Sequence, residues 1–298
     1  MSLLSDTQGR PERVWSLLRL LQALGGRASR GDVDTWMMPA SFRDSDKSLS
    51  QVAQTVGSAR SLGLVDDDGD ELVLLVEDVP ATMQGFADLA HYRLCEPLND
   101  ADAVVFQAYA CVIVETARKG NSDWLAEQKA AEIANFINRV LVHGEDSDLR
   151  RFNKEKAPAW RAWLVALGLA FEASALPYLF PQPAERIARE LPAIAASLGI
   201  DVEIPATKFV NELGRRMPYL DGGSVHKQLA DRIAAVHDWR QREGSLSNVL
   251  SEALRDLHDE GVIELRARAD AKDALILDHD PGSPLRSFVG VVICGGRR

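Results

Sequence analysis

Cysteine is scarce in this 298-residue chain, with Cys95, Cys111 and Cys294 lying far apart. That excludes a disulfide framework, and the spacing lacks the short Cys–Cys or Cys–His intervals of a zinc site. The six histidines are equally scattered, so no metal is expected. Long apolar runs are also missing. The longest, WLVALGLAF from Trp163 to Phe171, is about half of the roughly 20 residues that a membrane helix needs. The start, MSLLSDTQGRPERVW, has no basic patch followed by an apolar stretch and a small-residue cleavage site. The expected location is therefore the cytoplasm. Positive charge is in deficit: 34 Lys and Arg face 44 Asp and Glu, a formal charge of -10. Such a balance weighs against a stand-alone binder of nucleic acid and leaves room only for a local basic face.

Catalytic motifs are missing as well. The chain holds no GxxxxGK phosphate loop followed by Ser or Thr, no GxGxxG after a strand, no GxSxG elbow and no HExxH. It also lacks the paired HxE and PCxxC of zinc deaminases. Acidic pairs such as Glu145 with Asp146 sit in polar connections. The expectation is a protein without cofactor that is not an enzyme.

What the chain does contain is a helix-then-hairpin pattern near each end. At the N-terminal end, Pro11 suits a first helical position, and Val14, Trp15, Leu17, Leu18, Leu21 and Leu24 mark an apolar helix face. Ser29 is placed to cap a second helix. In a third, Leu49, Val52, Ala53, Val56 and Ala59 fall on one side while Gln51, Gln54, Thr55 and Ser58 lie mostly on the other. Leu64-Val65, the charged tip DDDGDE and Leu72 to Val76 then read as a hairpin. At the C-terminal end Ser245 to His279 repeats the scheme. Val249, Leu250, Ala253, Leu254 and Leu257 line one helix face, and Val262 to Leu265 and Ala274 to Leu277 supply the hairpin. Between the ends, Ala103 to Thr116, Trp124 to Leu141, Trp160 to Phe171 and Glu185 to Leu198 read as helices. Pro192 is expected to kink the last of these or to start a new segment.

The predicted architecture is mainly α with small β-hairpins. Tandem winged-helix-like domains, 1–80 and 203–298, flank an all-helical middle domain, 81–202. The terminal run FVGVVIC, Phe288 to Cys294, wants cover on both faces, so an internal strand that completes a sheet is the simplest reading. Gly290 within it marks a bulge or a close backbone approach.

A helix-turn-helix module presents one helix to the major groove, where amides and guanidinium groups meet base edges. The candidates on the C-terminal unit are Asn248, Ser251 and Arg255, with Arg240, Arg242, Arg266, Arg268 and Lys272 placed for phosphates. On the N-terminal unit they are Gln51, Gln54, Thr55 and Ser58, with Lys47 and Arg60 for phosphates. The competing reading is that these polar faces meet only solvent or another protein surface. The tip Asp66-Asp67-Asp68 with Asp70 and Glu71 argues that way, because it would repel a phosphate backbone.

Three stretches carry a family resemblance: SLLSDTQGRPERVWSLLRLL, FVNELGRRMPYLDGG, and LSEALRDLHDEGVIELRARADAKDALILDH. Together they resemble DpdG, a component of bacterial 7-deazaguanine DNA modification and restriction loci that act against phage. The resemblance implies work beside DNA-handling ATPases or helicases and brings no catalytic residues. The expected function is a non-catalytic accessory component that recognises DNA within a larger defence assembly, with protein partners and no membrane. The alternatives are a protein–protein adaptor that uses its winged helices without touching DNA, or a transcriptional regulator.

Overall fold

The computed structural model of the chain describes residues 2–5, 8–43, 47–96, 100–142, 151–172, 179–268, 271 and 273–295, the side chains at 47, 48 and 172 excepted. It is mainly helical with small antiparallel sheets. Contacts group it into two units: Met1–Val105 with Arg151–Leu167, and Phe106–Arg150 with Gly168–Arg298. This grouping differs from three consecutive segments, because the stretch 81–202 is divided between the units and does not stand alone.

In the first unit, α1 (Pro11–Ala23) begins with proline at its first position, where a missing N–H costs nothing. Its Val14, Leu17, Leu18 and Leu21 are fully buried, each worth roughly 1.5–3 kcal/mol of apolar transfer. Next come β1 (Arg27–Ser29), α2 (Arg30–Met37), α3 (Lys47–Ser61), β2 (Val65–Asp68) and β3 (Glu71–Leu74). The sheet order is β1-β3-β2, all antiparallel, with Leu72 opposite Ala28 on one side and Asp67 on the other. The hairpin was legible in the sequence, whereas β1 was not. It is three residues long and becomes a strand by pairing with β3. Behind these elements lie α4 (Met83–Cys95) and the start of α5 (Asp100–Lys119). After α6 (Asp123–Glu127) and α7 (Ala130–Leu141), which belong to the second unit, α8 (Ala157–Ala166) returns to the first. There Trp163 packs against Phe86 with ring centroids 6.2 Å apart.

The second unit starts with the remainder of α5, which is buried all round from Ala108 to Val114. Burial pushes up the Tyr109 phenol and the Cys111 thiol, and the Tyr109 hydroxyl donates to the Leu169 carbonyl at 2.6 Å. Strands β4 (Ala170–Glu172) and β5 (Leu179–Pro181) pair antiparallel, which corrects the expectation of an all-helical middle. Helix α9 (Ala184–Leu198) runs through Pro192 as one continuous helix. It is followed by β6 (Glu203–Pro205), α10 (Ala206–Arg216), α11 (Ser224–His237), α12 (Asn248–Asp259), β7 (Ile263–Arg266), β8 (Leu275–Ile276), β9 (Ser287–Phe288) and β10 (Gly290–Ile293).

Most of the apolar terminal run becomes β10, the centre of a sheet ordered β6-β10-β7, as its need for two-sided cover implied, while Phe288 falls in β9. The partner of β7 differs from expectation. Val262 to Leu265 and Ala274 to Leu277 form no hairpin with each other. Instead β7 pairs with β10, and β8 pairs with β9. Burial decides this competition: β10 contributes Val291 and Ile293, 0% and 4% exposed, whereas Leu275 and Ile276 remain half-exposed. Gly290 is a close approach, since a Cβ there would lie 2.6 Å from a Glu203 carboxylate oxygen.

Candidate functional site

Helix α12 starts where it does because of a capping relay. The Ser247 hydroxyl accepts the Leu250 N–H at 3.2 Å, an N-cap contact. The buried carboxylate of Asp221 fixes Ser247 in turn, accepting its N–H at 2.7 Å and its hydroxyl at 2.6 Å. Gln241 adds a third donor to Asp221 at 3.0 Å. The turn carrying Asp221 sits tight on α10, since a Cβ on Gly214 would lie 2.5 Å from the Gly223 nitrogen. The LDGG of the sequence is thus a close-packed hinge between two helices.

From this start, α12 buries its apolar side and part of its polar side. Asn248 is 5% exposed, and its side-chain oxygen accepts the Val249 N–H at 3.0 Å. The Ser251 hydroxyl, fully buried, accepts the Asp278 N–H at 2.9 Å. Arg255, 5% exposed, donates to the Asp278 carbonyl and, at 3.4 Å, to that of Leu285. The reading of Asn248, Ser251 and Arg255 as base-contacting side chains is therefore corrected. Ser251 and Arg255 hold the returning segment 278–285, Asn248 bonds the first turn of its own helix, and all three are buried. The face that α12 does expose carries Glu252, Asp256 and Asp259, spaced by four and three residues. Desolvation pushes the Glu252 carboxyl above the usual carboxylate range; Asp256 and Asp278 add to the shift, Arg255 opposes it, and Asp280 adds a little more.

A pH-dependent cost follows. With the folded value raised, the contribution of Glu252 to stability is full below the unfolded carboxylate value and is lost as pH rises through the folded value. Glu252→Gln is expected to raise the urea midpoint at neutral pH and to leave it unchanged in acid below the ordinary glutamate range. A gain of equal size at both pH values would contradict this account.

The basic flanks are partly committed. Arg266 pairs with Glu264 at 2.7 Å, and Arg268 grips both oxygens of Glu203 at 2.8 and 2.7 Å. Arg240 and Arg242 are exposed and make no ion pair among the described residues. Lys272 lies outside the described residues.

Helix α3 is covered too, by the segment that precedes α1. Leu3 and Leu4 are completely buried, and the Leu3 N–H donates to Asp102 at 2.7 Å, the same carboxylate that accepts the Ser61 hydroxyl. Gln54 accepts the Gln8 N–H at 3.0 Å, and the Trp163 indole donates to the Gly9 carbonyl at 3.2 Å. Thr55 and Ser58 are 1% and 0% exposed, and the Thr55 hydroxyl donates back to the Gln51 carbonyl at 2.8 Å. Gln51 and Gln54 are half-buried. Thr55 and Ser58 are thus corrected from a groove-facing to an interior role. The Lys47 side chain lies outside the described residues. The acidic hairpin tip is partly neutralised within its own unit: Arg27 bonds Asp68 at 2.7 Å, and Arg30 and Arg60 both pair with Asp67.

The sequence reading missed a cleft of 560 Å³ in the second unit, beside the capping relay. One wall is the face of α10 that carries Thr207, Val210 and Asn211; the opposite wall is the face of α11 with His226, Lys227 and Asp231. The loop holding Gln241 and Arg242 closes one end. No single stretch of sequence advertises it, because three distant segments supply the lining. Among the described residues, no group of three or more His, Cys, Asp or Glu is placed to hold a metal ion. No helix among them is long and apolar enough to cross a membrane.

These features define a class: mainly helical, with two small three-stranded antiparallel sheets backed by helices. Within that class the chain is specific. It matches the family model described as DpdG-like over residues 1–271 and belongs to that family. Membership links it to the Dpd modification locus and so fits a context of DNA modification. No curated protein and no solved structure matches the chain.

Proposed function

We propose that the chain is a non-catalytic adaptor of the DNA-modification and restriction assembly, built on two winged-helix units that hold proteins and do not read base pairs with their third helices. The order α1-β1-α2-α3-β2-β3, with sheet order β1-β3-β2, supports the first winged helix. The series α9-β6-α10-α12-β7-β10, with sheet order β6-β10-β7, supports the second. Here α11 is an insertion before the third helix, and the β8–β9 ribbon occupies the wing. The adaptor reading rests above all on α12, whose Asn248, Ser251 and Arg255 are buried while the exposed stripe is acidic. An anionic helix face meets a phosphate backbone with repulsion.

The test is binding to modified and unmodified duplexes across about 50 to 200 mM salt, where each lost phosphate contact shallows the slope by about one. Arg255→Ala and Arg268→Ala are expected to leave affinity and slope unchanged. Arg255→Ala should instead cost about 1–2 kcal/mol of stability by leaving two half-buried carbonyls without their donor. The tagged chain should also co-purify with the locus helicase or ATPase after nuclease treatment. A folded Arg255→Ala variant with weaker DNA binding and a shallower slope would restore direct recognition and sink the adaptor reading.

A further inference from the structure

The cleft beside the α12 cap has the chemistry of a ligand site. His226 is 5% exposed, lines the cleft, and its Nε2 has no hydrogen-bond partner among the described residues. A buried polar nitrogen left unpaired is costly, and something must normally satisfy it. Nearby, the Asn211 amide and the Lys227 and Arg242 side chains make no hydrogen bond or ion pair among the described residues. Asp221, the one buried carboxylate on the lining, already accepts from Ser247 and Gln241, which leaves Asp231 as the only other acid there. Donors therefore outnumber available acceptors: Lys227 and Arg242 balance the formal charges of Asp221 and Asp231, but the Asp221 oxygens are already taken by the cap. That surplus selects an anion.

Val210, Leu246 and Leu275 add apolar surface beside the polar Thr207, Gln241 and Ser245, so the guest needs a body as well as a charge. The volume, 560 Å³, falls within the roughly 300–1,000 Å³ range of small-molecule sites. An asparagine amide offers a donor and an acceptor side by side, the pair that matches the N6 and N7 edge of adenine. We infer that this cleft binds an organic phosphomonoester of mononucleotide size, its phosphate held by Lys227 and Arg242 and its ring edge by Asn211 and His226. The guest is either a free nucleotide or the phosphorylated end of a strand, which share this chemistry. The inference stands apart from the adaptor reading, since the cleft does not involve the outer face of α12.

Calorimetry and imidazole NMR on the full chain test it, with dAMP, deoxyadenosine, inorganic phosphate and a 5′-phosphorylated trinucleotide as probes. Saturable binding of dAMP is expected, with a shift of the ring signals that disappear in His226→Gln. Deoxyadenosine and inorganic phosphate should each bind at least about tenfold more weakly, and the paired Lys227→Gln and Arg242→Gln changes should weaken dAMP by a similar factor. Both side chains are exposed, so that double variant should melt with the wild type. A trinucleotide that matches dAMP identifies a strand end as the guest; one that binds worse identifies a free nucleotide. The inference is overturned by the absence of saturable binding for every phosphate-bearing probe. Affinity unmoved by the double variant, or equal affinity for inorganic phosphate and dAMP, overturns it equally.

Discussion

Replacing Asp221 with alanine is expected to cost about 4 kcal/mol of stability, because it strands two buried Ser247 donors at about 1–3 kcal/mol each and loosens a helix cap worth about 1. Ser247 is 1% exposed, so water cannot take over for the lost carboxylate. Its N–H and hydroxyl both point at Asp221, at 2.7 and 2.6 Å, and the same hydroxyl organises the first turn of α12. Gln241 would lose one of its two acceptors and keep the Ser245 carbonyl at 2.7 Å. Asp221→Asn keeps one acceptor oxygen for the Ser247 N–H, while its amide can donate to the serine oxygen, so its loss should be nearer 1 kcal/mol. Urea unfolding followed by circular dichroism reads both changes as a fall in midpoint at constant slope. An alanine variant as stable as the wild type would separate Asp221 from the cap and leave the cleft as the only use for its carboxylate.

That relay also marks how far the sequence alone could lead. Residues answering to a local rule were legible. Val52, Val56 and Ala59 recur at helical spacing and are buried in α3, and Val249, Leu250, Ala253, Leu254 and Leu257 do the same in α12. The two-sided apolarity of Phe288 to Cys294 likewise demanded an interior strand. Illegible were the places where a distant segment supplies the cover. Thr55, Ser58, Ser251 and Arg255 look like an outward polar face in a helical wheel, yet all four are buried, and Ser58, Ser251 and Arg255 each meet a distant part of the chain. For Ser251 and Arg255 that is the returning 278–285 segment, 23 to 30 residues on for Arg255. Periodicity reports which side of a helix is apolar, but it cannot report that the polar side is also roofed. The strand partners of β7 failed for the same reason: nearest-in-sequence pairing with β8 lost to the better-buried β10. The cleft needed α10, α11 and the 241–246 loop together, so its donors never stood out in any one window.

The roof over α3 supplies the second large effect. Gly9→Ala is expected to destabilise the first unit by about 2–3 kcal/mol, the upper part of the usual cost of overpacking. An added Cβ would collide with the Ser58 hydroxyl and lie 2.6 Å from the Ser58 Cβ and 3.0 Å from the Gln54 carbonyl. Rotating the hydroxyl aside relieves only the first clash. The other two involve a β-carbon and helix backbone, so the leading segment itself must lift. Lifting it breaks the Trp163 contact to the Gly9 carbonyl, frees the Gln8 N–H from Gln54 and exposes Leu3 and Leu4. Amide exchange at residues 3, 4 and 8 should accelerate well beyond that of β3, and the thermal midpoint should fall. Ser58→Gly removes both the hydroxyl and the β-carbon at a helix-propensity cost of about 1 kcal/mol. In the double variant the new methyl occupies the space the serine vacates. Its total loss should therefore stay near that of Ser58→Gly alone, a favourable coupling of about 2 kcal/mol. If the two losses simply add, Gly9 and Ser58 are not in contact, and the covering of α3 by the leading segment falls with them. If the coupling appears, the helix that sequence pattern offers to a DNA groove is an interior element. The surfaces left for recognition are then the outer sides of both units, where an adaptor would meet its partners.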